Sequence, residues 1–341
     1  MENSTLQCGL TAKDFVSNQQ VKWCPGCGDY AVLNAVQKAL AELNIKKENA
    51  VFVSGIGCSS RFPYYMSTYG FHTIHGRASA VATGVKIANP GLSVWIVSGD
   101  GDSLAIGGNH FIHVIRRNLN MNLILFNNEI YGLTKGQYSP TSKRGVITKS
   151  SPHGTIENPF IPGELAIGAG SNFYARVPDT NVKLMTQVMI AAEKHNGLSL
   201  VEILQNCVIF NDDVHEAITG KESKADNQLI LEHGKPMLFG KELKKGIRLK
   251  GLSLEVVTIG ENGVTENDIL IHDVHSENST LHYMLVRMKL PEFPVAVGVI
   301  RDVKGPVYEE SLYDQIEQEK LTSKFKSLDD LFVSGNTFRI K

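Results

Sequence analysis

Residues 93–128 read SVWIVSGDGDSLAIGGNHFIHVIRRNLNMNLILFNN, an order of strand, glycine-flanked acids, helix, strand and paired asparagines. SVWIVS is a short apolar run with β-branched residues, Ile106–Arg117 carries apolar positions at helical spacing, and NLILFNN is a second strand-like run. A strand, a crossover helix and a second strand make one βαβ unit. In Gly99-Asp100-Gly101 the missing side chains let a ligand approach the backbone, and the helix that follows aims free N–H groups at it. Those donors suit a phosphate, but two unpaired carboxylates beside a phosphate repel it unless a cation lies between them. Magnesium prefers oxygen ligands and commonly bridges carboxylate and diphosphate. If the second strand is the parallel neighbour of the first, Asn127 and Asn128 arrive beside Asp100. A carboxylate, an amide oxygen and a nearby carbonyl then converge on one ion. Either residue alone is ordinary turn chemistry; it is the combination that points to a site.

The alternation continues outward from this unit. DYAVLNAVQKALAELNI (29–45) predicts a helix with Asp29 as its cap, AVFVSG (50–55) a strand, and SAVATGVKIANP (79–90) a helix stopped by Asn-Pro. Asn181–His195 reads as another helix and LSLVEILQ (198–205) as a buried strand. Strand and helix alternating over residues 29–205 predict an α/β, doubly wound and mostly parallel sheet, with ligands beyond the carboxyl ends of the strands. Residues 1–210 are therefore expected to form the ligand-binding domain. Beyond Asn211 the alternation weakens, so 211–341 is expected to be a C-terminal appendage serving subunit contacts. Its basic stretch GKELKKGIRLK (240–250) reads as a solvated face.

The 341 residues are enough for a substantial core, and 34 basic against 35 acidic residues leave no global field for nucleic acid or an anionic membrane. MENSTLQCGLTAKDF at the start lacks the basic and apolar regions of a signal peptide, and no run nears the ~18 apolar residues that span a bilayer. The expectation is a cytoplasmic protein. In a reducing compartment, Cys8, Cys24, Cys27, Cys58 and Cys207 are better read as thiols or metal ligands than as disulfides. WCPGCG (23–28) holds a C-x-x-C pair, which alone is redox-active, zinc-binding or cluster-binding. Cys58 in SGIGCSSR and Cys207 in ILQNCVIF each follow a predicted strand and so reach the same rim. Four thiolates fit a 4Fe-4S cluster or a zinc ion.

The glycines around Asp100 do not fall as G-x-G-x-x-G, and no Walker lysine follows. Gly99-Asp100-Gly101 with Asn127-Asn128 instead resembles the thiamine diphosphate motif, which implies magnesium held by Asp100, Asn128 and the backbone carbonyl of Ile130. WCPGCGD, GIGCSSR, HGRA, GDGDSLAIGG, NNEIYGLTKGQYSPT and LQNCV together closely resemble the β subunits of 2-oxoacid:ferredoxin oxidoreductases over about residues 20–212. IYGLTKGQYSPTS looks most like the 2-oxoglutarate form. The resemblance implies cluster ligation by Cys24, Cys27, Cys58 and Cys207, and a thiamine pocket lined by Ile56, Gly57, Cys58, Ser59, His75, Gly101, Asp102, Gly132 and Leu133. A cluster suits such a site because it accepts electrons one at a time, which zinc cannot do.

Two positions depart from the pattern. Arg61 stands where many relatives carry lysine, and either cation could meet a substrate carboxylate. Asn206 stands where proline is common, and Cys8 matches no role and reads as an ordinary thiol.

The activity implied is oxidative decarboxylation of a 2-oxoacid, 2-oxoglutarate by preference, with coenzyme A. The products are an acyl-CoA (succinyl-CoA) and carbon dioxide, with electrons passing singly to ferredoxin. Thiamine enzymes also need an activating glutamate from a further domain, and only 98 residues precede Gly99. An α subunit is thus the expected source of that glutamate and of much of the substrate and coenzyme A pocket, with room for further small subunits. Five cysteines allow one cluster. With no C-x-x-C-x-x-C segment, electrons must leave to external ferredoxin or through another subunit. The alternatives are pyruvate or broad 2-oxoacid specificity, a non-oxidative thiamine-dependent decarboxylase subunit, or a zinc-binding interaction module.

Overall fold

A computed structural model of the chain describes residues 9–338 and 340; Cys8 lies outside the described residues. Eight strands form the main sheet in the order β2-β1-β3-β4-β8-β7-β13-β9. They are β1 (Ala50–Ser54), β2 (Tyr69–His72), β3 (Ser93–Gly99), β4 (Met121–Asn127), β7 (Phe173–Pro178), β8 (Leu198–Leu204), β9 (Gln228–Ile230) and β13 (Val295–Asp302). All neighbouring pairs are parallel except β13 with β7. The remaining strands are β5 (Ile130–Tyr131) with β6 (Gln137–Tyr138), and the antiparallel sheet β10 (Leu238–Phe239), β11 (Lys245–Lys250) and β12 (Ser253–Thr258).

Helices cover both faces of the main sheet, which is why its central strands are continuously apolar: β4 and β8 are buried at every residue. Successive strand residues point to opposite faces. Val51, Val53 and Ile96 pack with Phe111 and Val114 of the helix Gly108–Arg117 and Ala82 of the helix Ala78–Ala88. Phe52, Trp95 and Val97 pack with Val36 and Leu40 of the helix Asp29–Glu42 and Met185 and Met189 of the helix Val182–Lys194.

The helices and strands expected from residues 29–205 are all present within a few residues. The crossover after β3 differs in one useful respect: a wide π-type turn, Asp102–Ile106, precedes the α-helix, so helical backbone starts close to Asp100. Sequence patterning missed β2 and β7. β2 is an edge strand exposed at all four residues and carries no apolar alternation. The sheet also crosses the boundary expected at residue 210, because β9 and the largely buried β13 extend its edge and their apolar residues join the same core as β1 and β3. β9 and β13, both past residue 211, are therefore part of the sheet rather than set apart from it. Among the described residues, no helix is long and apolar enough to cross a membrane.

Candidate cofactor site

β3 and β4 run parallel with Gly99 opposite Phe126, so Asp100 and Asn128 leave neighbouring strands at the same end. A cleft of about 150 Å³ lies there. It is lined by Ile56, Gly57, Cys58 and Ser59 after β1, by His75, by Asp100, Gly101 and Asp102 after β3, and by Asn128, Ile130, Gly132 and Leu133 after β4. Every residue expected to touch thiamine diphosphate or magnesium thus lies on one wall or another of one cleft. Arg61 does not: the turn Ser59–Arg61 closes by its backbone N–H donating to the Cys58 carbonyl at 3.2 Å, and the side chain is exposed outside the lining.

Asp100 is buried, and its Oδ2 accepts hydrogen bonds from Ser139 Oγ at 2.6 Å and Thr141 Oγ1 at 2.5 Å. Burial pushes its carboxyl up to about 6 against the lowering effect of those hydroxyls. Asn128 Oδ1 accepts from the Ile130 N–H at 3.2 Å, across Glu129, whose φ of 56° turns the chain sharply. Glu129 is itself pushed up to about 7 by burial, with Lys143 opposing and Asp100 adding to the rise. A buried carboxylate, an amide oxygen and a backbone carbonyl are an all-oxygen donor set that suits magnesium, and a cation offsets the cost of keeping Asp100 ionised.

Asp102 has a different task from Asp100. Its Oδ1 accepts from Ile56 N at 3.1 Å, Gly76 N at 2.7 Å and His75 Nδ1 at 2.5 Å, while Oδ2 accepts from Ser98 Oγ at 2.5 Å. One buried carboxylate therefore ties together the loops after β1, β2 and β3. It also sets the His75 tautomer, with Nδ1 protonated, and leaves that half-exposed ring on the cleft wall. Glycine is required at position 101 because a Cβ there would fall 2.2 Å from the Tyr131 ring, whose hydroxyl donates to the Gly101 carbonyl at 3.0 Å.

The sulfurs gather beside this cleft. Cys24 and Cys27 precede the helix Asp29–Glu42, Cys58 follows β1 and Cys207 follows β8; all four are free, Cys24 exposed and the others half-buried. A Cβ on Gly132 would lie 3.5 Å from both Cys58 Sγ and Cys207 Sγ. Burial pushes the Cys58 thiol up to about 12, with Asp29, Cys207 and Cys24 adding to the rise and Arg61 opposing it. The Cys27 thiol is raised further by burial, Asp29, Cys207 and Cys58. Cys58 and Cys207 thus meet at Gly132, and Cys27 lies on the same side, its sulfur accepting from Gln205 Nε2 at 3.4 Å. Among the described residues, no three His, Cys, Asp or Glu side chains lie close enough to hold a single metal ion.

Several site residues escaped the sequence reading. Ser139 and Thr141 stood within the quoted SPT run without an assigned role, and Gln205, between Asn128 and Cys27, had none either. Asn127, expected beside Asp100 with Asn128, is turned to the other side by strand alternation. Its Nδ2 donates to Glu202 Oε1 at 2.7 Å, within a buried group of Glu202, Arg176 and Tyr174.

Comparison with known proteins places this geometry in context. Residues 55–203 match the family described as thiamine pyrophosphate enzyme, C-terminal TPP binding domain. The chain is 48% identical over 305 residues to the 2-oxoglutarate oxidoreductase subunit KorB of Mycobacterium tuberculosis, covering 89% of this chain and 81% of that one. It is 43% identical over 185 residues to the 2-oxoglutarate synthase subunit KorB of Archaeoglobus fulgidus, covering 54% of this chain and 69% of the relative. The fold superposes with a TM-score of 0.75 and 31% identity on a 2-oxoglutarate:ferredoxin oxidoreductase from Magnetococcus marinus, solved with 2-oxoglutarate, coenzyme A and succinyl-CoA bound; the match covers 98% of this chain and 96% of that chain.

Proposed function

Because this chain belongs to the β subunits of the 2-oxoacid:ferredoxin oxidoreductases and is similar to those of 2-oxoglutarate enzymes, we propose that it carries magnesium-bound thiamine diphosphate beside one 4Fe-4S cluster. With an α subunit it converts 2-oxoglutarate and coenzyme A to succinyl-CoA and carbon dioxide, and two electrons leave singly to ferredoxin. The observation that carries this reading is that the cleft and the sulfur group share a wall: Cys58 and Gly132 line the cleft, and Gly132 sits against Cys58 and Cys207. When bound, thiamine diphosphate supplies the carbanion chemistry of decarboxylation and the cluster supplies one-electron acceptance.

The chain's own residues position these groups. Asp100, Asn128 and the Ile130 carbonyl hold the magnesium, with Ser139 and Thr141 orienting the Asp100 carboxylate. Asp102 keeps a proton on His75 Nδ1 and leaves Nε2 as the exchangeable position of that ring. Leu133 and Ile56 supply apolar wall to the cleft. Cys24, Cys27, Cys58 and Cys207 ligate the cluster. Residues 1–210 do this cofactor work, while 211–341 make subunit contacts, in keeping with the exposed Leu321, Leu328 and Phe332 near the end of the chain. The α subunit supplies the activating glutamate and much of the substrate pocket.

Anaerobic co-purification with the α subunit, followed by viologen reduction with coenzyme A, tests the proposal. A brown complex with a higher kcat/KM for 2-oxoglutarate than for pyruvate is expected. Preference for pyruvate overturns the substrate assignment, and a colourless complex overturns the cluster.

A further inference from the structure

We infer that Gln205 is a positioning residue that bridges the two cofactor sites, orienting the magnesium ligand Asn128 with one end of its amide and donating an N–H to the cluster ligand Cys27 with the other. This rests on the reading just proposed. Gln205 follows β8 and is 1% exposed, with its backbone N–H donating to the Asn127 carbonyl at 3.0 Å. Its side chain has three partners: Nε2 donates to the Asn206 carbonyl at 2.5 Å and to Cys27 Sγ at 3.4 Å, and Oε1 accepts from Asn128 Nδ2 at 2.8 Å.

The chemistry of these partners dictates the orientation. A backbone carbonyl can only accept, so the Asn206 carbonyl requires the amino end of Gln205. That leaves Oε1 facing Asn128, which must answer with its own amino group. Asn128 Oδ1 is thereby forced to the opposite side, toward the Ile130 N–H and the cleft. Turning Gln205 over would set two acceptors face to face at Asn206 and two donors at Asn128, against a side chain that is itself buried. The oxygen offered to the cation is therefore determined by a carbonyl on the cluster side of the bridge.

At its other end, the N–H on Cys27 Sγ favours the more electron-rich, reduced cluster and so raises its potential. The same donor offsets the negative surroundings of that sulfur, since Asp29 lies beside Cys27 and Asp179 faces Asp29.

The test uses the anaerobic αβ complex and two variants, Gln205→Met, which removes donor and acceptor, and Gln205→Glu, which keeps the acceptor for Asn128. Calorimetry gives the magnesium-dependent affinity for thiamine diphosphate, and an EPR-monitored redox titration gives the cluster potential. Gln205→Met should weaken thiamine diphosphate about 10–100-fold, as outer-shell losses do. It should also lower the reduced-to-oxidised ratio of the cluster at fixed potential about tenfold, equivalent to about 59 mV. Gln205→Glu should keep thiamine diphosphate affinity within about threefold while lowering the potential at least as far. Wild-type affinity and potential in Gln205→Met overturn the bridge, as does an equal loss of affinity in both variants. If Gln205→Met loses its cluster, an unchanged potential in Gln205→Glu overturns it. A wild-type complex without a cluster signal or magnesium-dependent thiamine binding defeats the underlying reading instead.

Discussion

Two aspartates separated by one glycine do unlike work here because their neighbours differ. Asp102 is surrounded by four donors and spends its carboxylate on loops of its own chain, whereas Asp100 has hydroxyls at one oxygen and faces the cleft. The composition of GDGD does not distinguish them; the donors that meet each one do. Asp100→Asn keeps the volume and the contacts to Ser139 and Thr141 but removes the charge. Thermal unfolding should shift by only a few degrees, while calorimetry should show magnesium-dependent thiamine diphosphate affinity falling by about 100-fold or more, the loss of a charged oxygen ligand. Retained affinity would remove Asp100 from the metal site.

At the scale of elements, the carboxyl ends of β4, β7 and β8 are held by a buried charge pair. Arg176 Nε on β7 meets Glu202 Oε2 on β8 at 2.8 Å, Tyr174 donates to the same carboxylate, and Asn127 at the end of β4 donates to its other oxygen. Burial alone would push the Glu202 carboxyl up, but Arg176, with the Tyr174 and Asn127 hydrogen bonds, holds it below its ordinary value. A pair so enclosed is costly to break and cheaper to replace whole. Glu202→Leu should therefore destabilise by about 3–5 kcal/mol in chemical denaturation, and adding Arg176→Met should recover part of that loss. Strict additivity of the two substitutions would mean that the ion pair does not couple β7 to β8.

For the molecule as a whole, the attachment of residues 211–338 to the sheet depends on β13 and the histidines packed against it. His282 Nε2 donates to the Asp273 carbonyl at 2.8 Å, and its Nδ1 accepts from Arg301 Nη1 of β13 at 3.0 Å, so the ring is neutral and its tautomer determined. Burial lowers its pKa, the Asp273 carbonyl opposes this and Arg301 lowers it further; burial likewise lowers His272, whose Nε2 donates to the Val299 carbonyl of β13. The unfolded chain then binds more protons than the native one, so stability rises with pH through this window. It is lost as pH falls below the ordinary histidine value of about 6.5. The melting temperature should drop on acidification over that range, and His282→Asn should flatten the dependence; an unaltered profile in that variant would clear His282 of the effect. By itself the sequence determined the βαβ unit, the meeting of Asp100 with Asn128 at parallel strand ends, and the four cysteines placed after predicted turns and strands. Helical periodicity, alternation and glycine turns are local, and parallel neighbours bring their ends together whatever else the chain does. Only the tertiary structure decided that Asn127 turns away to Glu202, 75 residues on, that Gln205 stands between Asn128 and Cys27, and that β13 closes antiparallel on β7. Such contacts depend on sheet order and on which face each side chain meets, and no local pattern carries that information.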